Sequence, residues 1–387
     1  MIDSTADGAV GISVEPGAKI APILPAVELS VVVPTFNERD NIAPLIDRLR
    51  VVLGGIAWEV IFVDDDSPDG TTEHIRNISQ SDPRVRCVQR IGRRGLSTAC
   101  IEGILTSSAP YIAVMDADLQ HDERLLPRML DVLRRERCDL VVGSRYVAGG
   151  DVGTWDTTRV KISAFANWLS RMVCKVDICD PMSGFFMFRR QAFDAAVRKM
   201  SGQGFKILLD FLASSPKTIA VREIPYRFGE RQFGQSKLDA LVAWEFGVLI
   251  ADKLIGHIIP VRFVLFALVG GLGIFVHIAV LWYSFQVLSM SFEHAQLLAV
   301  VVAMTSNFFL NNLFTYRDLR LKGRGILRGL FSFYCIGAVG AVANVGIAAY
   351  LFNADQKWWL AGAVGVLVGA VWNFAMSSAF TWNAWKR

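Results

Sequence analysis

The segment from Val60 to Gly70 reads VIFVDDDSPDG, an apolar run that ends in a cluster of carboxylates. Runs that are apolar at every position are typical of strands in a parallel sheet with helices on both faces. The pattern recurs along the first half of the chain, at Leu29–Val33, Val85–Val88, Tyr111–Met115 and Leu140–Val142. Helical stretches separate the runs, at Asn41–Leu53, Thr72–Ser79, Gly95–Thr106 and Arg124–Arg137. This alternation predicts an α/β fold with a doubly wound, mainly parallel sheet.

Polar clusters follow three of the apolar runs. Residues 34–38 follow the first, 64–70 the second and 116–120 the fourth. In a doubly wound sheet, ligands bind at the edge where the strands have their carboxyl ends. Asp is also a common turn residue and helix cap, so any one cluster leaves a purely structural role open. Three clusters at one edge favour a ligand site.

Asp116 and Asp118 flank a single small residue directly after a predicted strand. Their carboxylates would repel each other without a cation between them. Oxygen ligands favour Mg²⁺ or Mn²⁺, and a hard ion held by few carboxylates completes its shell with water and substrate phosphates. The pattern therefore indicates a site for a nucleotide diphosphate.

The sequence lacks the characteristic motifs of three other enzyme classes. The chain has no G-x-x-x-x-G-K-[ST], no G-x-G-x-x-G after the first strand and no G-x-S-x-G. These motifs mark P-loop hydrolases, dinucleotide-dependent oxidoreductases and α/β-hydrolases, respectively. The metal-diphosphate interpretation remains.

Four motifs in order carry a resemblance to a known family. They are VVVPTFNE at Val31–Glu38, VDDDSPDGT at Val63–Thr71, MDADLQH at Met115–His121 and GSRY at Gly143–Tyr146. The set resembles the inverting GT-A glycosyltransferases, and most closely the dolichol- or polyprenol-phosphate mannose synthases, from about Glu28 to Leu238. The second motif favours mannose synthases over the related glucosyl and aminoarabinosyl enzymes, which tend to have Asp-Asp-Gly-Ser there.

The resemblance implies roles on the donor side. Around the guanosine of GDP-mannose it places Pro34, Phe36, Glu38, Val63 and Asp65. The metal and the diphosphate would be held by Asp116, Asp118 and Gln120, with Ala117 also at the donor. Arg231 and Lys237, in the loop Glu230–Leu238, would close over the donor phosphates. A basic loop of this kind also suits anionic lipid, and that alternative stays open.

On the acceptor side, the resemblance implies that Arg145, Arg159 and Ser163 bind a polyprenol monophosphate. Guanidinium groups suit a phosphate that must be oriented as well as neutralised. A lipid phosphate is already anionic at neutral pH, so it can attack the anomeric carbon without a dedicated base. Single displacement would invert the anomer to a β-linked lipid phosphate. His121 is interpreted as a support of the metal cluster rather than a base.

The second half of the chain differs from the first in its content of charged residues. Only ten charged residues lie between Val261 and Phe380, while the rest of the chain has about 25% charged residues, as soluble domains do. Four apolar stretches are each long enough to span a bilayer: Phe263–Leu288, Ala295–Leu313, Leu330–Phe352 and Trp358–Phe380. The positive net charge therefore belongs to a membrane domain, which argues against a nucleic-acid partner.

Basic residues cluster between the second and third stretches and at the end of the chain. Because cytoplasmic loops collect Lys and Arg, both termini and the catalytic domain are expected in the cytoplasm. The stretches also repeat, since Asn307-Phe308 and Asn373-Phe374 are related by a shift of about 66 residues. This half resembles the GtrA-like domain. The intramembrane amides either bond neighbouring helices or contact a lipid head group: Asn307, Asn311, Asn312, Asn344 and Asn373.

Four parts of the chain are predicted. They are a flexible tail at 1–27, a GT-A domain at 28–237, an amphipathic interface helix at 238–260 and a GtrA-like domain at 261–387. The interface helix either lies on the bilayer or packs on the soluble domain. The leading functional hypothesis is mannose transfer from GDP-mannose to a polyprenol phosphate. The alternatives are a glucosyltransferase using UDP-glucose, and a lipid-linked sugar flippase or scaffold with a vestigial nucleotide domain. A homo-oligomer stays open.

Overall fold

The computed structural model of the protein describes residues 26–151, 157–202, 204–215, 219–229, 240–256, 259–354 and 357–384. Side chains at 157–162, 240–245, 255, 318 and 358 lie outside this description. The predicted tail therefore falls almost entirely outside the described residues. So do Arg231 and Lys237, while Arg159 is described by its backbone alone.

Within these residues, seven strands form one sheet. They are β1 (Leu29–Thr35), β2 (Trp58–Asp64), β3 (Val85–Gln89), β4 (Tyr111–Val114), β5 (Leu140–Ser144), β6 (Phe186–Arg189) and β7 (Val221–Pro225). Their order across the sheet is β3-β2-β1-β4-β6-β5-β7. All neighbours are parallel except β6, which runs antiparallel to both β4 and β5. The predicted mainly parallel α/β fold is confirmed.

Helices cover both faces of the sheet. They are α1 (Arg39–Val52), α2 (Thr71–Ser79), α3 (Leu96–Thr106), α4 (Leu126–Arg135), α5 (Thr157–Val173), α6 (Arg190–Ala196) and α7 (Ile207–Ser214). Val31 and Val33 of β1 pack in the cluster that includes α1 and α4. Val32, between them, packs in the cluster that includes α3 and α7. The apolar runs have no polar face because both faces of these strands are buried.

Helix α8 (Ala240–Ile255) joins the α/β domain to the membrane half. Its residues Leu249 and Ile250 are buried against Leu209 of α7. On the same face, Lys253 Nζ lies 2.6 Å from the Oδ1 atom of the fully buried Asp210. One face of α8, which carries Leu249, Ile250 and Lys253, therefore packs on the soluble domain. Contact of residues 238–260 with a bilayer surface stays a prediction.

Four helices of the described chain are long and apolar enough to cross a membrane. They are α9 (Val261–Trp282), α10 (Phe292–Leu310), α11 (Arg324–Asn353) and α12 (Trp358–Met376). Each except α11 continues into a π-helical turn, at Tyr283–Val287, Asn311–Thr315 and Ser377–Thr381. Large apolar side chains face outward, such as Val342 at 74% exposure. Such exposure suits lipid rather than water.

The two helical hairpins contact each other reciprocally. Tyr316 stacks on Trp382 with 4.0 Å between ring centroids. The Tyr316 hydroxyl is 2.6 Å from Ser378 Oγ, and Trp382 Nε1 donates to Asn312 Oδ1 over 3.1 Å. A shift of about 66 residues relates Tyr316 to Trp382 and Asn312 to Ser378, so the hairpins exchange equivalent bonds.

The amides Asn311 and Asn312 bond to neighbouring protein groups. Asn311 Nδ2 donates to the Asn307 carbonyl oxygen, and Asn312 Oδ1 also accepts from Leu321 N. Asn307 packs against Gly273, where a Cβ atom would lie 2.4 Å from the amide, and Asn373 packs similarly on Gly340. Helix packing accounts for these contacts, and a lipid head-group role stays a prediction.

Candidate active site

Asp64, the last residue of β2, organises the loop that follows it. It is fully buried and accepts hydrogen bonds from Ser67 N at 2.8 Å, Ser67 Oγ at 2.6 Å and Thr72 Oγ1 at 2.6 Å. Thr35 Oγ1 of β1 donates to it over 3.1 Å. The role of the Asp64 carboxylate is therefore to stabilise the loop through these hydrogen bonds.

Asp69 closes the same loop onto helix α2. Its Oδ1 accepts from Thr71 N at 3.0 Å, and its Oδ2 accepts from Arg39 N at 3.3 Å. Desolvation acts to raise the pKa of Asp69, but the bonds from Thr71 and Arg39 outweigh it and hold this pKa below its ordinary value. Gly70 follows with φ of 84°, which favours glycine. The structural role that the sequence left open for such residues is therefore the observed role of Asp69.

Asp65 attaches the β3–α3 loop to the candidate donor site. It lies 2.8 Å from Arg90 Nη1 and accepts from Gly95 N at 2.7 Å. Burial raises the pKa of Asp65 above its ordinary value, although Gly95 and Arg90 oppose the shift. The attached loop brings the Arg94 guanidinium to 4.3 Å from the ring centroid of Phe36. A cation therefore stacks on the aromatic ring that is predicted to contact the nucleoside.

The other predicted nucleoside residues lie at the same edge. Pro34 near the end of β1 and Glu38 just after it are both part-buried. Val63 is fully buried, and its Cγ2 atom would lie 2.7 Å from a Cβ atom at Gly103 of α3. The side chain of Val63 thus faces the core, so only its backbone remains for a ligand at the edge.

Asp116 follows β4, and its side chain is 39% exposed. Its backbone N–H donates to Nδ1 of the buried His121 over 3.1 Å. Because Nδ1 accepts, the proton of the neutral ring is on Nε2, which lies 3.7 Å from Asp116 Oδ2. The ring of His121 stacks on Phe185 at 5.2 Å. His121 therefore holds the backbone of the loop at Asp116, and its ring lies beside the carboxylate.

Asp118 and Gln120 complete the loop after β4. Asp118 is 7% exposed and accepts from Gln120 N at 3.2 Å. Gln120 Nε2 donates to the Gly229 carbonyl oxygen over 2.9 Å, and Gly229 N donates back to the Gln120 carbonyl over 2.8 Å. Gly229 immediately precedes the loop that carries Arg231 and Lys237. Gln120 thus fixes the start of the predicted basic loop beside the acidic cluster.

The donor set after β4 fits a hard divalent cation. Asp116 and Asp118 supply carboxylate oxygens, and the amide of Gln120 supplies a third oxygen. A Cβ atom at Gly184 would lie 3.0 Å from Asp116 Oδ2, so only glycine leaves this carboxylate uncrowded. No group of three His, Cys, Asp or Glu residues that could hold a metal occurs in the described chain. A set this small leaves coordination positions for water and phosphate oxygens.

Arg145 lies at the end of β5 and is held by Asp180. Its Nε and Nη2 atoms each lie 2.8 Å from a carboxylate oxygen of Asp180, which is fully buried. Burial acts to lower the pKa of Arg145, but these bonds raise it above its ordinary value. Glu223 of β7 fixes Asp180 in turn, by accepting from its backbone N–H over 3.1 Å. The guanidinium is thus permanently charged and rigidly oriented.

Ser163, the other predicted acceptor residue with a described side chain, lies on α5. Its hydroxyl is 2.7 Å from the hydroxyl of Tyr146, the neighbour of Arg145. Arg159 lies one turn earlier on the same helix. The structure therefore brings Ser163 close to Arg145, and the side chain of Arg159 lies outside the described residues.

Sequence reasoning assigned no role to Asp180 and did not select Lys206 or Tyr226. Lys206 immediately precedes α7 and donates to the Met182 carbonyl oxygen over 3.5 Å. Tyr226 is 4% exposed, and its hydroxyl has no partner within the described chain. The sequence feature that could have selected Lys206 is its position as a single cation within the apolar run Phe205–Leu209. For Tyr226, which continues a strand, the sequence offered none.

Comparison with known proteins agrees with the two halves of the molecule. Residues 30–196 match the model of glycosyl transferase family 2, and residues 265–382 match that of the GtrA/DPMS transmembrane domain. The chain is 35% identical to a dolichol-phosphate mannosyltransferase of Pyrococcus furiosus over 361 residues, which cover 92% of this chain and 99% of that one. A dolichol-phosphate mannosyltransferase of Saccharomyces cerevisiae is 35% identical over 226 residues, covering 56% of this chain and 83% of that one.

Solved structures are more distant. Glucosyl-3-phosphoglycerate synthase of Mycobacterium tuberculosis is 22% identical with a TM-score of 0.43, covering 59% of this chain and 80% of that one. Mannosyl-3-phosphoglycerate synthase of Rubrobacter xylanophilus is 18% identical with a TM-score of 0.45, covering 60% and 75%.

A mixed α/β sheet with an acidic loop at its carboxyl edge, fused to four membrane helices, defines a membrane-bound glycosyltransferase of the GT-A class. The chain belongs to the family of dolichol-phosphate mannosyltransferases that join a glycosyl transferase family 2 domain to a GtrA/DPMS transmembrane domain. The predicted resemblance to this family is confirmed.

Proposed function

We propose that the protein transfers mannose from GDP-mannose to the phosphate of a polyprenol such as dolichol, with inversion. The observation that carries the proposal is the segment 180–184, which contacts both sides of the site. Asp180 binds Arg145, the predicted acceptor residue, while Gly184 packs against Asp116, the predicted donor residue. Two anionic substrates would therefore meet across one short segment.

Names of relatives support the choice of substrates. The relatives from Pyrococcus furiosus and Saccharomyces cerevisiae are both called dolichol-phosphate mannosyltransferase, and the first matches along nearly its whole length. The stacked pair of Phe36 and Arg94 suits a planar base at the donor edge. A guanidinium can also bind two acceptor atoms of guanine in one plane, which favours GDP over UDP.

In this mechanism the chain positions two charged groups for a direct displacement. Arg145, held by Asp180, orients the lipid phosphate so that one of its oxygens faces the anomeric carbon. That oxygen forms the new bond to the anomeric carbon as the bond to the diphosphate breaks. No proton has to be removed, which agrees with the positioning role of His121. Attack from the face opposite the leaving group inverts the α-linked donor to a β-linked product.

The leaving diphosphate needs neutralisation. Asp116, Asp118 and Gln120 would hold Mg²⁺ or Mn²⁺, which when bound supplies charge stabilisation for the departing GDP. Gln120 also holds Gly229 at the start of the basic loop. Arg231 and Lys237 are proposed to contact the donor phosphates from that loop, and Ala117 to line the donor site between the two acids.

The membrane arrangement is also a proposal. Basic residues cluster in the connection between α10 and α11, beside the ends of the hairpins that meet at Tyr316 and Trp382. By the distribution of Lys and Arg, this side and both termini are cytoplasmic. The domain boundaries at residues 27, 237 and 260 belong to the same proposal. A homo-oligomer remains open within it.

Transfer assays test the proposed function. The full chain in lipid nanodiscs is supplied with dolichyl phosphate, MgCl₂ and either radiolabelled GDP-mannose or radiolabelled UDP-glucose. We expect labelled lipid from GDP-mannose only, with a β-anomeric configuration by NMR. Transfer from UDP-glucose alone would support the glucosyltransferase alternative, and no transfer from either donor would support a flippase or scaffold with a vestigial site.

A further inference from the structure

The ammonium group of Lys206 has fewer hydrogen-bond partners in the described chain than it has N–H donors. The ammonium has three N–H donors, yet its one hydrogen bond within the described chain reaches the Met182 carbonyl at 3.5 Å, the outer limit for such a bond. Within the described residues, no carboxylate lies close enough to form an ion pair with it. The charges of Asp116 and Asp180 act on this part-buried ammonium, but neither carboxylate bonds to it directly, so most of its N–H donors are unsatisfied within the described chain.

The position of Lys206 in the fold indicates where an anion that pairs with it would bind. Met182 lies midway between Asp180, which binds Arg145, and Gly184, which packs on Asp116. After burial, the charge of Arg145 is the largest influence that lowers the pKa of Lys206. Two cations therefore lie near each other, and within the described residues Arg145 has a carboxylate bonded to it while Lys206 has none. Such a pair is costly unless an anion binds between them.

Tyr226 provides an independent sign of a missing ligand. Its side chain is 4% exposed, and its hydroxyl has no hydrogen-bond partner in the described chain. The charges of Arg145 and Asp180 act on this hydroxyl, as do those of Asp116 and Asp118, so it lies between the two sides of the site. A buried hydroxyl without a partner costs free energy, so it is expected to have one in the complete complex.

The fold indicates that this anion comes from the membrane side. Helix α7, which begins directly after Lys206, is tied to α8 by the 2.6 Å ion pair between Asp210 and Lys253. Helix α8 leads directly into the first membrane span. The predicted donor cations, by contrast, lie on the loop that begins at Gly229 beside Gln120. Lys206 is thus on the element attached to the membrane half.

We propose that Lys206 and the hydroxyl of Tyr226 bind the phosphate of the lipid acceptor together with Arg145. This inference rests on the proposed function, because it takes the acceptor to be a lipid monophosphate. A phosphate monoester carries three acceptor oxygens and nearly two negative charges at neutral pH. It would pair with the ammonium, the guanidinium and the phenol at once, and it would give Lys206 and Tyr226 the hydrogen-bond partners that they lack within the described chain.

Kinetics of Lys206→Met test the proposal. Methionine keeps an unbranched, apolar side chain of similar length, so the packing around the stem is preserved. We expect KM for dolichyl phosphate to rise about tenfold or more, as removal of a charge-assisted hydrogen bond predicts, while KM for GDP-mannose changes by less than about threefold. Lys206→Arg should recover part of the loss. Lys199→Met, at an exposed lysine seven positions earlier, is the matched control and should behave as the wild type.

Tyr226→Phe tests the same site without a change of charge. Because the hydroxyl has no partner before the acceptor binds, its removal should leave the melting temperature unchanged or raise it. KM for dolichyl phosphate should nevertheless rise about threefold to tenfold. A drop in the melting temperature with an unchanged KM would show that the hydroxyl has a structural role only.

A binding experiment separates this inference from the proposed function. Without any donor, wild type and Lys206→Met are titrated with a short-chain dolichyl phosphate, with the corresponding dolichol and with inorganic phosphate. The proposal predicts that the variant loses affinity for dolichyl phosphate and that neither protein gains affinity for dolichol. Tight binding of inorganic phosphate alone would identify a free-anion site. Equal binding of dolichyl phosphate by both proteins overturns the inference, whatever donor sugar the enzyme uses.

Discussion

The loops after β2 and β4 both present aspartates at the carboxyl edge of the sheet, yet they use them differently. Asp64 is fully buried and accepts four hydrogen bonds from its own loop and from β1. Asp116 keeps 39% of its side chain exposed, and its backbone N–H donates to a buried histidine. The same residue type at the same edge therefore builds a loop in one case and faces a ligand site in the other.

This difference shows that hydrogen-bond donors near a carboxylate decide its role. The loop after β2 contains Ser67 and leads into Thr71 and Thr72 at the start of α2, and the hydroxyls of these residues donate hydrogen bonds to Asp64 and Asp69. The loop after β4 has no hydroxyl between Asp116 and Gln120. Its carboxylates suit a cation because the loop itself offers them fewer donors.

Asp118→Asn should have the largest effect, and on activity alone. We expect the transfer rate to fall about a hundredfold to a thousandfold, since the site loses a charge that neutralises the diphosphate through the metal. The thermal unfolding midpoint should stay within the error of measurement. Radiolabelled transfer and a fluorescence melt measure the two quantities, and a cooperative loss of both would place Asp118 with the loop-building acids.

In contrast to Asp118→Asn, Asp64→Asn should lower the stability of the protein. The amide cannot accept all of the hydrogen bonds that converge on the carboxylate, so we expect a loss of about 3 kcal/mol in the free energy of unfolding. Denaturant titration followed by tryptophan fluorescence measures this loss. Retained stability with lost activity would contradict the structural role assigned to Asp64.

Gly184→Ala should lower activity by an intermediate amount. The added methyl would lie 3.0 Å from Asp116 Oδ2 and 3.3 Å from His121 Cε1, so the carboxylate must shift. A small misplacement of this kind is expected to cost about tenfold in turnover. Gly54→Ala, where the nearest atom is 3.6 Å away, is the control. An unchanged rate in Gly184→Ala would show that the Asp116 carboxylate needs no fixed position.

The pH dependence of stability should show the smallest effect, with opposite signs for two acids of one loop. The pKa of Asp69 is lowered in the fold, so its stabilisation is present above the ordinary pKa and is lost as the pH falls through that range. The pKa of Asp65 is raised, so protonated Asp65 favours the fold and stability falls as the pH rises past the ordinary pKa. The free energies of unfolding of Asp69→Asn and Asp65→Asn, measured between about pH 3.5 and 6, should depart from that of the wild type with opposite pH dependence.

The strands and spans were predictable because their apolar runs are long or recur with a clear alternation. The run at Val60–Val63 predicted β2, and four apolar stretches predicted the four spans. The antiparallel strand β6 was missed, since Phe186–Arg189 is only four residues long and its direction depends on partners far away in sequence.

The acidic site was predictable from local spacing, but its supports were not. Asp116 and Asp118 share one loop, so their proximity follows from the sequence. The bond between Gln120 and Gly229 joins residues 109 positions apart, and the ion pair between Arg145 and Asp180 joins residues 35 apart. Lys206 and Tyr226 were missed for the same reason, because only the fold reveals which buried donors lack partners.

Nucleotide binding with and without metal tests the central claim most directly. Calorimetric titration of GDP into the full chain is performed in EDTA and in MgCl₂, for the wild type, Asp118→Asn and Asp69→Asn. The account predicts that Mg²⁺ strengthens GDP binding at least about tenfold in the wild type and in Asp69→Asn, and that Asp118→Asn loses this gain. Equal GDP affinity with and without Mg²⁺ in the wild type would contradict a metal-diphosphate site after β4.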